Sequence, residues 1–114
     1  NTMKLNKEYM RKLAIIRFHY GFDTEIKKAI EEAEEYVEEL KKAADNNELI
    51  ACGAGECKAG LGLISEMADV YVTMEHIKRL FKISDKQIKD EIKNKINRQI
   101  DRIHKEKGLT PCDN

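Results

Sequence analysis

The chain has 114 residues, 41% hydrophobic and 37% charged, with one proline and no tryptophan. That length sustains one hydrophobic core rather than several, and the composition suits helices with strongly polar outer faces. Lysine plus arginine equals aspartate plus glutamate at 21 each, so bulk charge gives no reason to expect nucleic acid or an anionic membrane as a partner.

No apolar run approaches the length of a membrane span, and no secretory signal pattern stands out. The three cysteines (Cys52, Cys57 and Cys112) are an odd number, which does not favour a secreted disulfide framework. A cytoplasmic location is the expectation.

In chain order, Asn6 to Tyr20 reads as a first helix, with Tyr9, Leu13, Ile16 and Tyr20 recurring at spacings of three and four. Gly21 closes it in the position where a left-handed residue ends a helix. Asp23 or Thr24 offers an N-cap for a second helix reaching to about Leu49, with an apolar stripe of Ile26, Ile30, Ala33, Val37 and Leu40. The stretch "CGAGECKAG", Cys52 to Gly60, interrupts with three glycines and breaks helical continuity. A third helix runs from about Leu61 to Phe81, with Ile64, Met67, Ala68, Tyr71, Met74, Ile77 and Leu80 expected on its buried side. Ser84 with Gln87 three residues on has capping-box spacing. It opens a fourth helix striped by Ile88, Ile92, Ile96, Ile100 and Ile103, which frays by Gly108. The expectation is therefore all-α: a single domain over 1–114, four main helices, and frayed ends at 1–5 and 108–114.

The chemistry lies in the acids. Six glutamates crowd "AIEEAEEYVEELKK", Ala29 to Lys42. On a helical wheel they form two rows, Glu31, Glu34 and Glu38 on one flank and Glu32, Glu35 and Glu39 on another. Like charges so placed repel, and lysines such as Lys28 and Lys42 do not neutralise them. Alone, such a run describes a solvated helix face. The third helix changes the balance, because Glu66 and Asp69 in "EMAD" sit three apart between the apolar segments "LGLIS" and "VYVTM". A carboxylate near a core must be paired, protonated or bound to a cation. Two antiparallel helices, each with acids one turn apart, suit a hard cation such as Mg²⁺, which favours oxygen ligands and sites shared with phosphates.

"EEAEE" followed by "EMAD" resembles the EExxE…ExxD signature of the MazG-like, all-α nucleoside triphosphate pyrophosphohydrolases. Glu31, Glu32 and Glu35 fall on the first part, Glu66 and Asp69 on the second. The helix texture of "AIEEAEEYVEEL" and "LISEMADVYVTMEHI", and the basic "KNKINRQIDRI", extend the resemblance from about Ala29 to Ile103. It implies Mg²⁺-dependent (or Mn²⁺-dependent) cleavage of a nucleoside triphosphate to monophosphate and pyrophosphate, in nucleotide-pool housecleaning. On that resemblance Glu32, Glu35, Glu66 and Asp69 hold the metal. Glu31 or Glu34 orients or deprotonates the attacking water, Lys95 and Arg98 grip the triphosphate, and the active form is a homodimer or homotetramer.

Other readings compete. Lys95 and Arg98 also fit ordinary surface charges flanking an apolar stripe, and His76 fits a helix-face histidine bonded to a neighbour. Cys52 and Cys57 have spacing found in some zinc sites but lack two further ligands. No GK[ST] follows the glycines, which excludes a P-loop, and a di-iron bundle would need Glu-x-x-His pairs that are absent. A non-catalytic helical interaction protein or a nucleotide sensor stands as the alternative function.

Overall fold

In the computed structural model, residues 4–45 and 61–108 are described, and these form four helices and no strand. The expected all-α class holds. Two compact units divide the chain: Leu5–Phe81 carries the first three helices, and the other unit carries the fourth.

Helix α1 spans Lys7–Tyr20. Asn6 is its N-cap, with Oδ1 accepting from the Tyr9 amide at 2.8 Å, which satisfies a backbone donor the helix itself leaves unpaired. Gly21 closes it: its N–H donates to the Arg17 carbonyl at 2.8 Å, and its φ of 91° is one that side chains with a Cβ avoid.

Helix α2, Phe22–Asp45, starts at once. The Glu25 amide donates to the Gly21 carbonyl at 3.2 Å, so one glycine ends α1 and supplies the first acceptor of α2. Asp23 and Thr24, expected as caps, instead lie in the first turn, because Gly21 already fills that role. The expected extension to Leu49, and the segment with Cys52 and Cys57, lie outside the described residues, as does Cys112.

Helix α3, Leu61–Leu80, runs antiparallel to α2. The pairing can be followed residue by residue, with one partner number rising as the other falls. The Phe22 and Phe81 rings lie 5.5 Å apart between centroids, and Glu25 Oε2 lies 3.6 Å from His76 Nε2. Farther along, Glu35 meets Glu66, and a Cβ built on Gly62 would come 2.9 Å from Glu39 Oε2. Helix α4, Asp85–Glu106, opens with the expected capping box. Ser84 Oγ accepts from the Gln87 amide at 3.1 Å, and Gln87 Oε1 accepts from the Ser84 amide at 2.8 Å.

The direction in which α2 and α3 face each other overturns the expected buried side. Ile64, Met67, Ala68, Tyr71 and Met74 are exposed on α3, and only Ile77 and Leu80 are partly covered. On α2, Ile30, Ala33, Val37 and Leu40 are exposed, leaving Ile26 half-buried. The seam between the helices takes Glu25, Ala29, Glu32, Tyr36 and Glu39 from α2, and Leu63, Glu66, Asp69, Val70, Thr73 and His76 from α3. The apolar stripes are real, but a single copy of this hairpin turns them outward. Polar groups fill the interior, and Leu13 is the one buried hydrophobic residue among those described.

At one end of the seam a polar knot joins the three helices. Arg17 Nη1 lies 3.2 Å from His76 Nδ1, and the far nitrogen of the same ring faces Glu25. His76 and Glu25 are 3% and 4% exposed. Burial, more than any neighbouring charge, pushes the His76 pKa down, which keeps the imidazole neutral. In that form Nδ1 accepts from Arg17, and Nε2–H points toward Glu25. The expectation of a histidine bonded to a neighbour holds.

Candidate metal centre

The register that puts Gly62 beside Glu39 and His76 beside Glu25 brings the middle of each helix together at the acids. One carboxylate oxygen from each of Glu32, Glu35 and Glu66 lies within 4.8 Å of the other two. Opposite oxygens around one Mg²⁺ are about 4.2 Å apart, from a metal–oxygen distance near 2.1 Å. The three oxygens thus stand at separations comparable to those of ligands sharing one ion. Asp69, the fourth expected ligand, lies outside that triple but against Glu32, and the two carboxyls line one cavity.

Burial makes the grouping telling. Glu32 is 5% exposed. Its Oε2, and Oε2 of Glu66, are shut off from solvent and have no hydrogen-bond partner. An unpartnered buried carboxylate oxygen is costly, and a ligand cation is one of few ways to satisfy it. Lys28 Nζ lies 3.1 Å from Glu32 Oε1 one helical turn away.

The electrostatics follow. Burial first, then Glu35, Glu32 and Asp69, push the Glu66 carboxyl up to about 7. Asp69 is also raised, by burial and then by a proton-sharing contact with Glu32 and its charge. Glu32 goes the other way. Burial is its largest single influence and pushes upward, but Lys28, Asp69 and Glu35 together hold it below the usual range. Thus Glu32 is biased toward the ionised form while Glu66 and Asp69 are biased toward the neutral acid, as expected where like charges cannot all ionise together.

Two cavities flank the cluster. One, about 840 Å³, is open and lined by Glu31, Glu34, Glu35, Glu38, Glu39 and Glu66, with Lys41 and Lys42. The exposed Glu31 and Glu34, expected to handle water, therefore share it with two of the three clustered acids. The other, about 410 Å³, is walled by Ile16 and Tyr20 of α1, Thr24 and Lys28 of α2, and Val72, Thr73 and His76 of α3, with Glu32 and Asp69 at its edge. Mixed apolar walls with a few convergent polar groups are typical of small-molecule sites.

Lys95 and Arg98 lie on α4, in the other unit, and are exposed. The groups that sequence reading missed are Arg17 and Glu25, together with the α1 wall of the smaller cavity. Glu25 sits seven residues, two helical turns, before Glu32 on the same face, and that periodicity was the available signal. Arg17 carried none, because its partner lies 59 residues away. No described helix is long and apolar enough to cross a membrane. Compared with known proteins, the chain matches no family model, no curated protein and no solved structure.

Proposed function

We propose that this protein is a divalent-metal-dependent nucleoside triphosphate pyrophosphohydrolase of the MazG-like kind. The observation that carries the reading is the triple of a buried Glu32, a half-buried Glu66 and an exposed Glu35, in which one oxygen each of Glu32 and Glu66 is shut off from solvent without a partner. Oxygen-only donors on two facing helices fit Mg²⁺ or Mn²⁺ and disfavour softer metals. When bound, the ion neutralises charge on the phosphate oxygens and activates water.

The remaining work falls to the chain. Glu32, Glu35 and Glu66 hold the cation, and Asp69, against Glu32, completes the set. Glu31 or Glu34, exposed in the open cavity beside Glu35 and Glu66, accepts the proton of the attacking water. The smaller cavity takes the nucleoside: Ile16, Tyr20 and Val72 cover its apolar faces, and Thr24 offers a hydroxyl to its polar edge. The neutral His76, fixed by Arg17 and Glu25, forms the floor. Cleavage between the α and β phosphates then yields monophosphate and pyrophosphate.

Two copies complete the fold in this reading. Ile30, Val37 and Leu40 of α2 and Ile64, Met67, Tyr71 and Met74 of α3 are all exposed, large apolar side chains that a second copy would cover. Pairing two α2–α3 hairpins over them makes a four-helix bundle. The other reading, a helical interaction protein, draws on those same exposed side chains and assigns the acids no ligand.

The test is a panel of canonical and modified ribo- and deoxyribonucleoside triphosphates with Mg²⁺ or Mn²⁺, scored for monophosphate and pyrophosphate, on protein of measured solution mass. The expected result is turnover of at least one nucleotide by a dimer or tetramer, releasing pyrophosphate rather than orthophosphate. Absence of turnover across the panel, with no nucleotide-dependent rise in Tm, favours the interaction protein. A rise in Tm without turnover identifies a nucleotide sensor.

A further inference from the structure

Lys28 occupies an unusual place. Its ammonium pairs with Glu32 Oε1 at 3.1 Å, yet its side chain is 57% exposed while that of Glu32 is 6% exposed. The pair therefore joins an exposed partner to a buried one. The other oxygen of the same carboxylate is buried and unpartnered. Among the described residues lining the smaller cavity, Lys28 is the one lysine or arginine, and it shares that cavity with Asp69.

Two charge requirements meet at this position. Without a divalent ion, the acids need some positive charge, and Lys28 is what the helix provides one turn before Glu32. With a divalent ion on Glu32, an ammonium held against the same carboxylate would face a doubly charged neighbour at a few ångströms, an arrangement that repels. A four-carbon stem with an exposed head can swing aside at little cost. The cavity it already lines is where an anionic group would need a point charge.

Resting on the pyrophosphohydrolase reading, we infer that Lys28 is a resident cation of the acidic cluster. It holds Glu32 while no divalent ion is bound, yields it when one arrives, and then pairs with a phosphate oxygen of the ligand in the adjoining cavity. It is a positioning and binding residue with two alternating partners. In each state the ammonium faces an anion: the Glu32 carboxylate when no divalent ion is bound, and a phosphate oxygen when ion and ligand are both in place.

The inference requires one substitution to act in opposite directions on two ligands. Titrating the full chain with Mn²⁺ at pH 8, followed by the paramagnetic resonance of the free ion, Lys28→Met is expected to bind Mn²⁺ about fivefold more tightly than wild type, since a competing cation is gone. Lys28→Arg, which keeps the charge, is expected to show no such gain. With Mn²⁺ saturating, inorganic tripolyphosphate is expected to bind Lys28→Met about tenfold more weakly than wild type, the loss of one charge-assisted contact. Lys28→Gln is the second neutral variant, and helical circular dichroism checks that each has folded. A folded neutral variant that binds Mn²⁺ no more tightly than wild type overturns the inference, and unchanged tripolyphosphate affinity overturns its second half. Failure of wild type itself to bind Mn²⁺ overturns the pyrophosphohydrolase reading on which it rests, a distinct result.

Discussion

Asp69→Asn is expected to lower turnover at least about a thousandfold, the scale on which loss of a metal-site charge acts, while helicity stays intact. The amide keeps the size and polarity of the carboxyl but cannot ionise. Asp69 lies against Glu32 in the lining of the smaller cavity, where its charge would be needed once a cation draws both carboxyls into their ionised forms. In the metal-free protein it is already biased toward the neutral acid. The substitution should therefore leave metal-free stability equal to or slightly above that of wild type. A sharp loss of activity without loss of stability is a common mark of residues kept for function rather than folding. Steady-state rates of the best substrate, paired with thermal melts, check both halves. An active Asp69→Asn would remove Asp69 from the site.

The second large effect is a dependence of stability on pH that a divalent cation erases. Glu66 titrates in the folded protein at about 7 against an ordinary 4.5, so the folded state holds a proton that the unfolded state has already lost. Stability from this group is complete below about pH 4.5 and is lost as pH rises through about 7. Asp69, also raised, acts in the same sense. His76 acts in the opposite sense: its depressed pKa makes the folded state costlier below the ordinary 6.5, so stability recovers as pH rises toward that value. Glu32, held low, contributes a constant above its ordinary 4.5. The opposing histidine contribution is half titrated at the ordinary 6.5 and fades over about the next unit, so between about pH 6.5 and 8 the loss from Glu66 is the larger of the two. In that window Tm of the metal-free protein is expected to fall, and Glu66→Gln is expected to flatten the fall. Saturating Mg²⁺ should remove it and add about 2.7 kcal/mol of apparent stability at a hundred times Kd. A Tm that is flat with pH, or insensitive to Mg²⁺, would contradict the assignment of Glu66.

Much of this was legible in the sequence, and the one large error is instructive. Helix limits followed from local chemistry: Asn6 and Ser84 cap their helices through side-chain oxygens, and Gly21 ends α1 because its φ suits few other residues. The meeting of Glu32, Glu35 and Glu66 followed from spacing along two helices and an apolar setting for "EMAD". What misled was the assumption that the more apolar side of a helix faces its own chain. Ile30, Val37, Met67 and Tyr71 face outward, whereas Glu25, Glu32 and His76 face inward. Periodicity identifies a stripe but not its partner, and a helix with two usable faces leaves that choice to tertiary contacts. The Arg17–His76 contact was hidden for the same reason, since nothing local links residues on α1 and α3.

The central claim, that Glu32, Glu35 and Glu66 close on one divalent cation, is most directly tested by diffraction from crystals grown with Mn²⁺, using its anomalous scattering. The expected result is a peak between the two facing helices, within bonding distance of oxygens from all three carboxylates, that vanishes in Glu66→Gln. Crystals in which ordered Mn²⁺ sits only elsewhere, or in which these carboxylates turn away from one another with no ion between them, would contradict it.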